Sequence, residues 1–149
     1  MATIRLPTNF KEFLKLLNSA GVEYLVVGGY AVAFHGHPRS TGDMDIWIAT
    51  TPGNVPRVRR ALTEFGFSEE QAASAPLHIG GKVIRMGRPP LRIELLTSVS
   101  GLDFEVCYQR RASQIVDDIK VAFISRDDLL ANKRAAGRTQ DLADIEALG

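Results

Sequence analysis

Asp43-Met44-Asp45 puts two carboxylates two residues apart at the head of an apolar run, Ile46-Trp47-Ile48. On a strand, alternate side chains share a side, so both acids point the same way, ~6.5 Å apart along the chain. Neighbouring carboxylates repel one another unless solvent or a cation screens them. Oxygen donors of this kind suit Mg²⁺, which takes one or two protein carboxylates and completes its shell with water and substrate phosphates. A solvated turn before a strand gives the same tripeptide, so the pair alone does not decide between the two. A third carboxylate, Glu94, interrupts the apolar stretch Ile93 to Leu96. Ionised side chains are almost never fully buried without a partner, so Glu94 faces either solvent or a site. Upstream, the run Tyr24-Leu25-Val26-Val27 ends in Gly28-Gly29. A Gly pair there allows a ligand phosphate close to free amides at a helix start, although Gly pairs also make plain turns.

Taken together, the spacing is more specific than its parts. Gly28-Gly29, thirteen intervening residues and Asp43-Met44-Asp45-Ile46 resemble the signature of the DNA polymerase β-like nucleotidyltransferase superfamily. In that signature a third acid follows on a later strand, the place Glu94 takes here. The acid in that place is often Asp, and Glu94 is one methylene longer. Val26 to Ile48, with Tyr30-Ala31, His35-Gly36 and Arg39-Ser40-Thr41, is similar to the minimal nucleotidyltransferases of bacterial toxin–antitoxin and abortive-infection systems. So are Leu91 to Phe104 and the tail, Asn132 to Arg138 with Gln140-Asp141-Leu142-Ala143-Asp144.

The resemblance implies an α/β (α+β) fold with a short mixed sheet flanked by helices. It implies Mg²⁺-dependent transfer of a nucleoside monophosphate from a nucleoside triphosphate to a hydroxyl acceptor. Asp43, Asp45 and Glu94 would hold a two-ion site and carry catalysis. Gly28 and Gly29 would hold the β- and γ-phosphates, with Arg39, Ser40 and Thr41 touching phosphate oxygens; an Arg39–Asp43 ion pair is the plainer alternative. Lys133 either reaches the triphosphate or is a solvated helix cation. Asp141 and Asp144 share a helix face and read first as structural. Larger relatives recognise the acceptor with an extra helical domain. Here the acceptor, whether a tRNA end, a protein or a small molecule, must meet the C-terminal helices, a second subunit or a partner protein encoded nearby. The competing reading is a catalytically weak antitoxin or binding subunit of a two-gene system. A metal-dependent glycosyltransferase rests only on Asp-x-Asp.

These residues need elements to position them. Asn9 reads as a helix N-cap with Glu12 completing a capping box, and Phe10, Phe13, Leu14, Leu17 and Ala20 form one helical stripe closed by Gly21. Strands are expected at Tyr24–Val27, Asp45–Ile48, Lys82–Met86, Leu91–Thr97 and Val121–Ile124, the third and fourth as a hairpin. Helices are expected at 30–34, from Thr51-Pro52-Gly53 to Phe65, at Phe104–Arg111, Asp127–Ala136 and Asp141–Leu148. Glu69 to Ile79 shows no period. Trp47 and Cys107 read as core. Arg57, Arg59 and Arg60 read as a solvated face, with RNA contact as the sharper alternative. His35, His37 and His78 lack a metal-ligand spacing.

Composition agrees with this reading. The 149 residues suit one domain, 1–149, and 45% apolar with 23% charged residues is ordinary for a globular fold. A lone cysteine rules out an internal disulfide and a Cys-based zinc cage. No apolar run reaches the ~20 residues that span a bilayer, and the N-terminus lacks a signal-peptide stretch, so a cytoplasmic protein is expected. A net charge of +1 argues against indiscriminate nucleic-acid coating, yet thirteen Arg against five Lys suits an anionic ligand.

Overall fold

The computed structural model describes residues 6–37, 42–88 and 91–149. In chain order the elements are α1 (Thr8–Ser19), β1 (Tyr24–Val27), α2 (Gly28–Phe34), β2 (Asp43–Ile48), α3 (Val55–Phe65), α4 (Glu69–Ser74) and β3 (Val83–Arg88). They continue with β4 (Leu91–Leu96), α5 (Phe104–Gln109), β5 (Ala112–Val116), β6 (Ile119–Phe123), α6 (Arg126–Ala136) and α7 (Thr139–Leu148). The six strands form one mixed sheet in the order β3-β4-β2-β1-β6-β5. β2 pairs in parallel with β4, and β1 in parallel with β6; the other pairs are antiparallel. This is the expected α/β class with a mixed sheet.

The apolar pattern dictates the layers. All four residues of β1 are buried, as befits a strand covered on both faces. The α1 stripe, Phe10, Phe13, Leu14 and Leu17, is fully buried. Phe10 meets Tyr30 edge-on at 5.8 Å, and Phe13 meets Phe65 at 5.0 Å. On the side of β2 that carries Asp43 and Asp45, Trp47 lies deeper, 2% exposed, with Phe104 edge-on at 5.1 Å. The acids are therefore the solvent-ward end of a strand whose other end is anchored in the core.

Some local expectations need correction. Asn9 is not an N-cap. Pro7, with φ −54° and ψ 148°, takes that place without a side-chain cap, and its carbonyl already accepts from the Lys11 amide at 3.0 Å. Glu69–Ser74 is a helix: it is too short to show a period and buries only Ala72, but Ser68 and Gln71 form a full capping box. β5 was not expected because its middle, Ser113 to Ile115, is exposed. It is an edge strand, paired with β6 through Asp117 and Asp118, whose φ values of 50° and 68° make the type of turn that suits a two-residue hairpin. β2 begins at Asp43 rather than Asp45, so both acids belong to the ladder.

Asn54 clips β1, β2 and α3 together. Only 2% exposed, it accepts from the Glu23 amide at 2.7 Å and donates to the Glu23 and Ala49 carbonyls at 3.1 and 2.8 Å. Removing it leaves the Glu23 amide and the Ala49 carbonyl without partners and takes one of two donors from the Glu23 carbonyl. Asn54→Leu is expected to cost about 2–4 kcal/mol in urea denaturation at unchanged m-value; a loss below ~0.5 kcal/mol would show that the clip does not hold these elements.

Candidate active site

Register places the acids. In the parallel β2–β4 ladder, Asp43 lies beside Arg92 and Asp45 beside Glu94. Residues paired in this way project to the same face from strands ~4.8 Å apart. Asp43, Asp45 and Glu94 are thus brought together on one side of the sheet. Burial, then the charges of Glu94 and Asp43, push the Asp45 carboxyl up to about 6, with Lys133 working in the opposite direction.

Two guanidiniums answer this crowding, and neither was anticipated from the sequence. The Nη2 of Arg92 sits 3.0 Å from Asp43 Oδ2 and 3.2 Å from Glu94 Oε1. Arg85 reaches the same Glu94 oxygen from β3 at 3.3 Å. Arg92 Nε is buried without a hydrogen-bond partner. The available signal was parity: Arg92 and Glu94 are two apart on one strand and so share a side. Arg39, Ser40 and Thr41, expected at the phosphates, lie outside the described residues.

Gly28 closes the other flank. Its φ is +67°, and a Cβ there would run into the Asp45 carboxylate, so only glycine fits. α2 starts at Gly28 without a side-chain cap. A cavity of about 470 Å³ joins Gly28 and Asp45 to Ser98, Ser100, Lys133 and Arg138. Gly29, Asp43 and Glu94 are not among its lining residues.

Lys133 is no solvated cation. It is 4% exposed and bonded to Asp141 Oδ1 at 3.1 Å and Asp144 Oδ2 at 3.0 Å, two carboxylates each 1% exposed. Gly137, left-handed at φ 64°, turns the chain so that α7 returns along α6. Burial raises the Asp141 carboxyl, but Arg138 (Nε to Oδ2, 2.7 Å) and Lys133 outweigh it and hold the group below its usual range. The tail motif is therefore a buried ion cluster whose lysine also opens onto the cavity.

Other singled-out groups are occupied elsewhere. His35 Nε2 bonds the Ile124 carbonyl at 2.7 Å. Arg57 and Arg59 donate to the Gly21 and Ala72 carbonyls, and Arg60 pairs with Glu64. Burial, with Asp128 next, pushes the Cys107 thiol up to about 11, far from a reactive thiolate.

The raised Asp45 carboxyl has a consequence for stability. An acid whose folded value lies near 6, above the ~4 of an unfolded chain, contributes stability below pH ~4 that is lost as pH rises through about 6. At pH 7.5 without divalent metal, Asp45→Asn is expected to be more stable than the parent by roughly 2–3 kcal/mol. The difference should shrink toward zero at pH 4.5. A difference independent of pH in urea denaturation would contradict the crowding described.

Comparison with known proteins follows the same lines. Residues 5–149 match the family described as "Nucleotidyltransferase of unknown function (DUF6036)". One similar solved structure is an antigenic nucleotidyltransferase-like protein from Paracoccidioides brasiliensis, 18% identical with a TM-score of 0.51, covering 94% of this chain and 74% of that one. Another is the lincosamide antibiotic adenylyltransferase LnuA in its lincomycin-bound form, 16% identical with a TM-score of 0.56, covering 96% of each chain. At such identities the likeness shows the fold alone. None of the curated proteins matches the chain significantly. No helix among the described residues is long and apolar enough to cross a membrane. The family match runs from residue 5 to the last residue, and the chain therefore belongs to the DUF6036 nucleotidyltransferases.

Proposed function

We propose that this chain moves a nucleoside monophosphate from a nucleoside triphosphate to a hydroxyl acceptor, with Mg²⁺ held by Asp43, Asp45 and Glu94. One observation carries the reading: the parallel register sets three carboxylates side by side on one face, next to a cavity lined by Lys133 and Arg138. The donor set suits a hard dication by its chemistry, being all oxygen and negatively charged. Among the described residues no three acid, histidine or cysteine groups are gathered tightly enough to hold an ion as they stand. A cation nevertheless already stands between two of them, the Arg92 guanidinium. The residues fit a metal once Arg92 has moved off. Bound divalent ions would neutralise triphosphate charge and stabilise the attacking and leaving oxygens.

The protein's own part follows from charge. In leaving the carboxylates, Arg92 becomes available to the incoming phosphates. Lys133 and Arg138 face the same space from the C-terminal helices and offset charge building on the leaving group. Gly28 lets the triphosphate approach the backbone, and Arg39, Ser40 and Thr41 are assigned to the phosphates by motif alone. The acceptor oxygen attacks the α-phosphorus, the bond to the β-phosphate oxygen breaks, and pyrophosphate departs. The acceptor's proton goes to a carboxylate, for which Glu94 is the assigned group. The acceptor itself is a tRNA end, a protein side chain or a small molecule carrying a hydroxyl.

Calorimetric titration with ATP, CTP, GTP and UTP, with and without Mg²⁺, tests this. Mg²⁺-dependent binding is expected for at least one nucleotide and is lost in Asp43→Asn/Asp45→Asn, with transfer reduced by about 100-fold or more and the circular dichroism unchanged. A folded protein that binds no nucleotide at millimolar concentration would sink the reading in favour of a binding subunit of a two-gene system. Arg92→Gln separates the roles further. Removing the competing cation should tighten Mn²⁺ binding in the absence of nucleotide by about tenfold, while slowing transfer. Weaker Mn²⁺ binding would mean that Arg92 positions the carboxylates rather than competing for them.

A further inference from the structure

The opposite end of the central strands carries a second cavity that the proposed reaction does not use. β1 and β6 run parallel, so their C-terminal ends lie toward Gly28, while Tyr24 and Lys120 lie at the other end, roughly 10 Å away along the strand. There a cavity of about 320 Å³ opens between the end of α1, the start of β1, the end of α5 and the β5–β6 hairpin.

Its floor is held in advance. Asn18 donates from Nδ2 to the Lys120 carbonyl at 2.8 Å and accepts at Oδ1 from the Tyr24 hydroxyl at 2.9 Å. Its wall is aromatic and supported from behind: the Tyr108 ring stacks on Phe104 at 5.3 Å. Arg111 lies over Tyr108 with Cζ 4.1 Å from the ring centroid, fixed further by a 2.9 Å bond from Nη1 to the Tyr108 carbonyl. A guanidinium pinned in this way has little freedom left to lose on binding a ligand.

The charge lining this cavity is positive. Arg60, Arg85, Arg92, Arg110 and Arg138 are each answered by a carboxylate. Arg111 and Lys120 have no carboxylate partner among the described residues, and no carboxylate lines the cavity. Arg57 adds a third positive charge beside it, bonded to the rim carbonyl of Gly21 at 3.2 Å. Two unanswered cations and a planar guanidinium presented for stacking complement a phosphate joined to a flat ring.

We propose that this distal cavity binds a nucleotide unit, its base stacked on the Arg111 guanidinium and its phosphate between Arg111 and Lys120. The volume admits one such unit. The unit arrives either as a free mononucleotide or as one residue of a single-stranded RNA; the recognising chemistry is the same. Neither source depends on the active-site reading.

Amide NMR of the labelled protein without divalent metal, titrated with 5′-AMP and separately with a short single-stranded RNA, tests the proposal. Saturable shifts are expected at Gly21, Ser113, Lys120 and Ala122. They should weaken by about tenfold or more in Arg111→Glu/Lys120→Glu, and measurably in the milder Arg111→Ala. Both side chains lie on exposed residues, so the rest of each spectrum should match the parent. Shifts with AMP assign a free nucleotide, and shifts with RNA alone assign a strand. Shifts confined to Gly28, Ser98 and Asn132, shifts that survive in the variants, or no shifts with either ligand would overturn it. The readout involves no turnover, so failure of the transfer reaction leaves this result standing on its own.

Discussion

Carboxylate repulsion across the β2–β4 ladder is the constraint on which the rest of the site depends. Parallel pairing fixes Asp45 beside Glu94 whatever their charges, because the register is set by the buried Met44, Ile46, Ile93 and Leu95 on the other face. A slip of one residue would turn those apolar side chains outward. The acids therefore cannot move apart to relieve their repulsion. The chain answers with cations instead, Arg92 and Arg85 at Glu94 and Asp43, and Lys133 from the C-terminal helix. Two guanidiniums pair with Asp43 and Glu94, Lys133 acts on Asp45 only from its own pairs with Asp141 and Asp144, and the Asp45 carboxyl is still pushed up to about 6. The repulsion around Asp45 is thus only partly offset.

The C-terminal hairpin of helices obeys the same electrostatics at greater depth. Lys133, Asp141 and Asp144 are nearly solvent-free, where an unpaired charge would cost several kcal/mol. Two carboxylates against one ammonium leave an excess of negative charge, and Arg138 and Gln140 absorb it through bonds to Asp141 and Asp144. Such clusters add little net stability over an apolar core. What this one does is fix the angle at which α7 returns along α6, and hence where Lys133 and Arg138 stand relative to Asp45. Packing alone would tolerate Met at position 133, but it would not set a charge there.

How far the sequence could be read follows from what each signal depends on. Gly28-Gly29, Asp43, Asp45 and Glu94 stood out through the resemblance of their spacing to a family signature, and the parallel register of β2 on β4 brings the three acids to one face. The α1 stripe and the β3–β4 hairpin were legible because their periods are long enough to count. Asn9 misled because its type fits a cap, while Pro7 two residues earlier fixes the entry of the chain. α4 and β5 were missed because one is six residues long and the other is exposed at a sheet edge. Beyond its parity with Glu94, Arg92 carries no sequence signal of its role. Its meaning lies in a cross-strand partner, Asp43, forty-nine residues away, and nothing local states which strand lies beside β2. Lys133 reads from sequence as a triphosphate contact or a solvated helix cation, and its burial and two partners depend on a helix turn that sequence marks only with Gly137.

On the proposed reading, the resident guanidinium shapes how ligands would enter. A dication arriving alone must displace Arg92 from Asp43 and Glu94, and the displaced charge then stands close to the ion it made way for. That repulsion weakens metal binding in the absence of nucleotide. A triphosphate reverses the sign of the effect, since its oxygens accept both the ion and the released guanidinium. Metal and nucleotide then bind with positive coupling, and by linkage each raises the other's affinity by the same factor. A site of this kind stays closed to either ligand alone, because its acids hold their own arginine until both arrive.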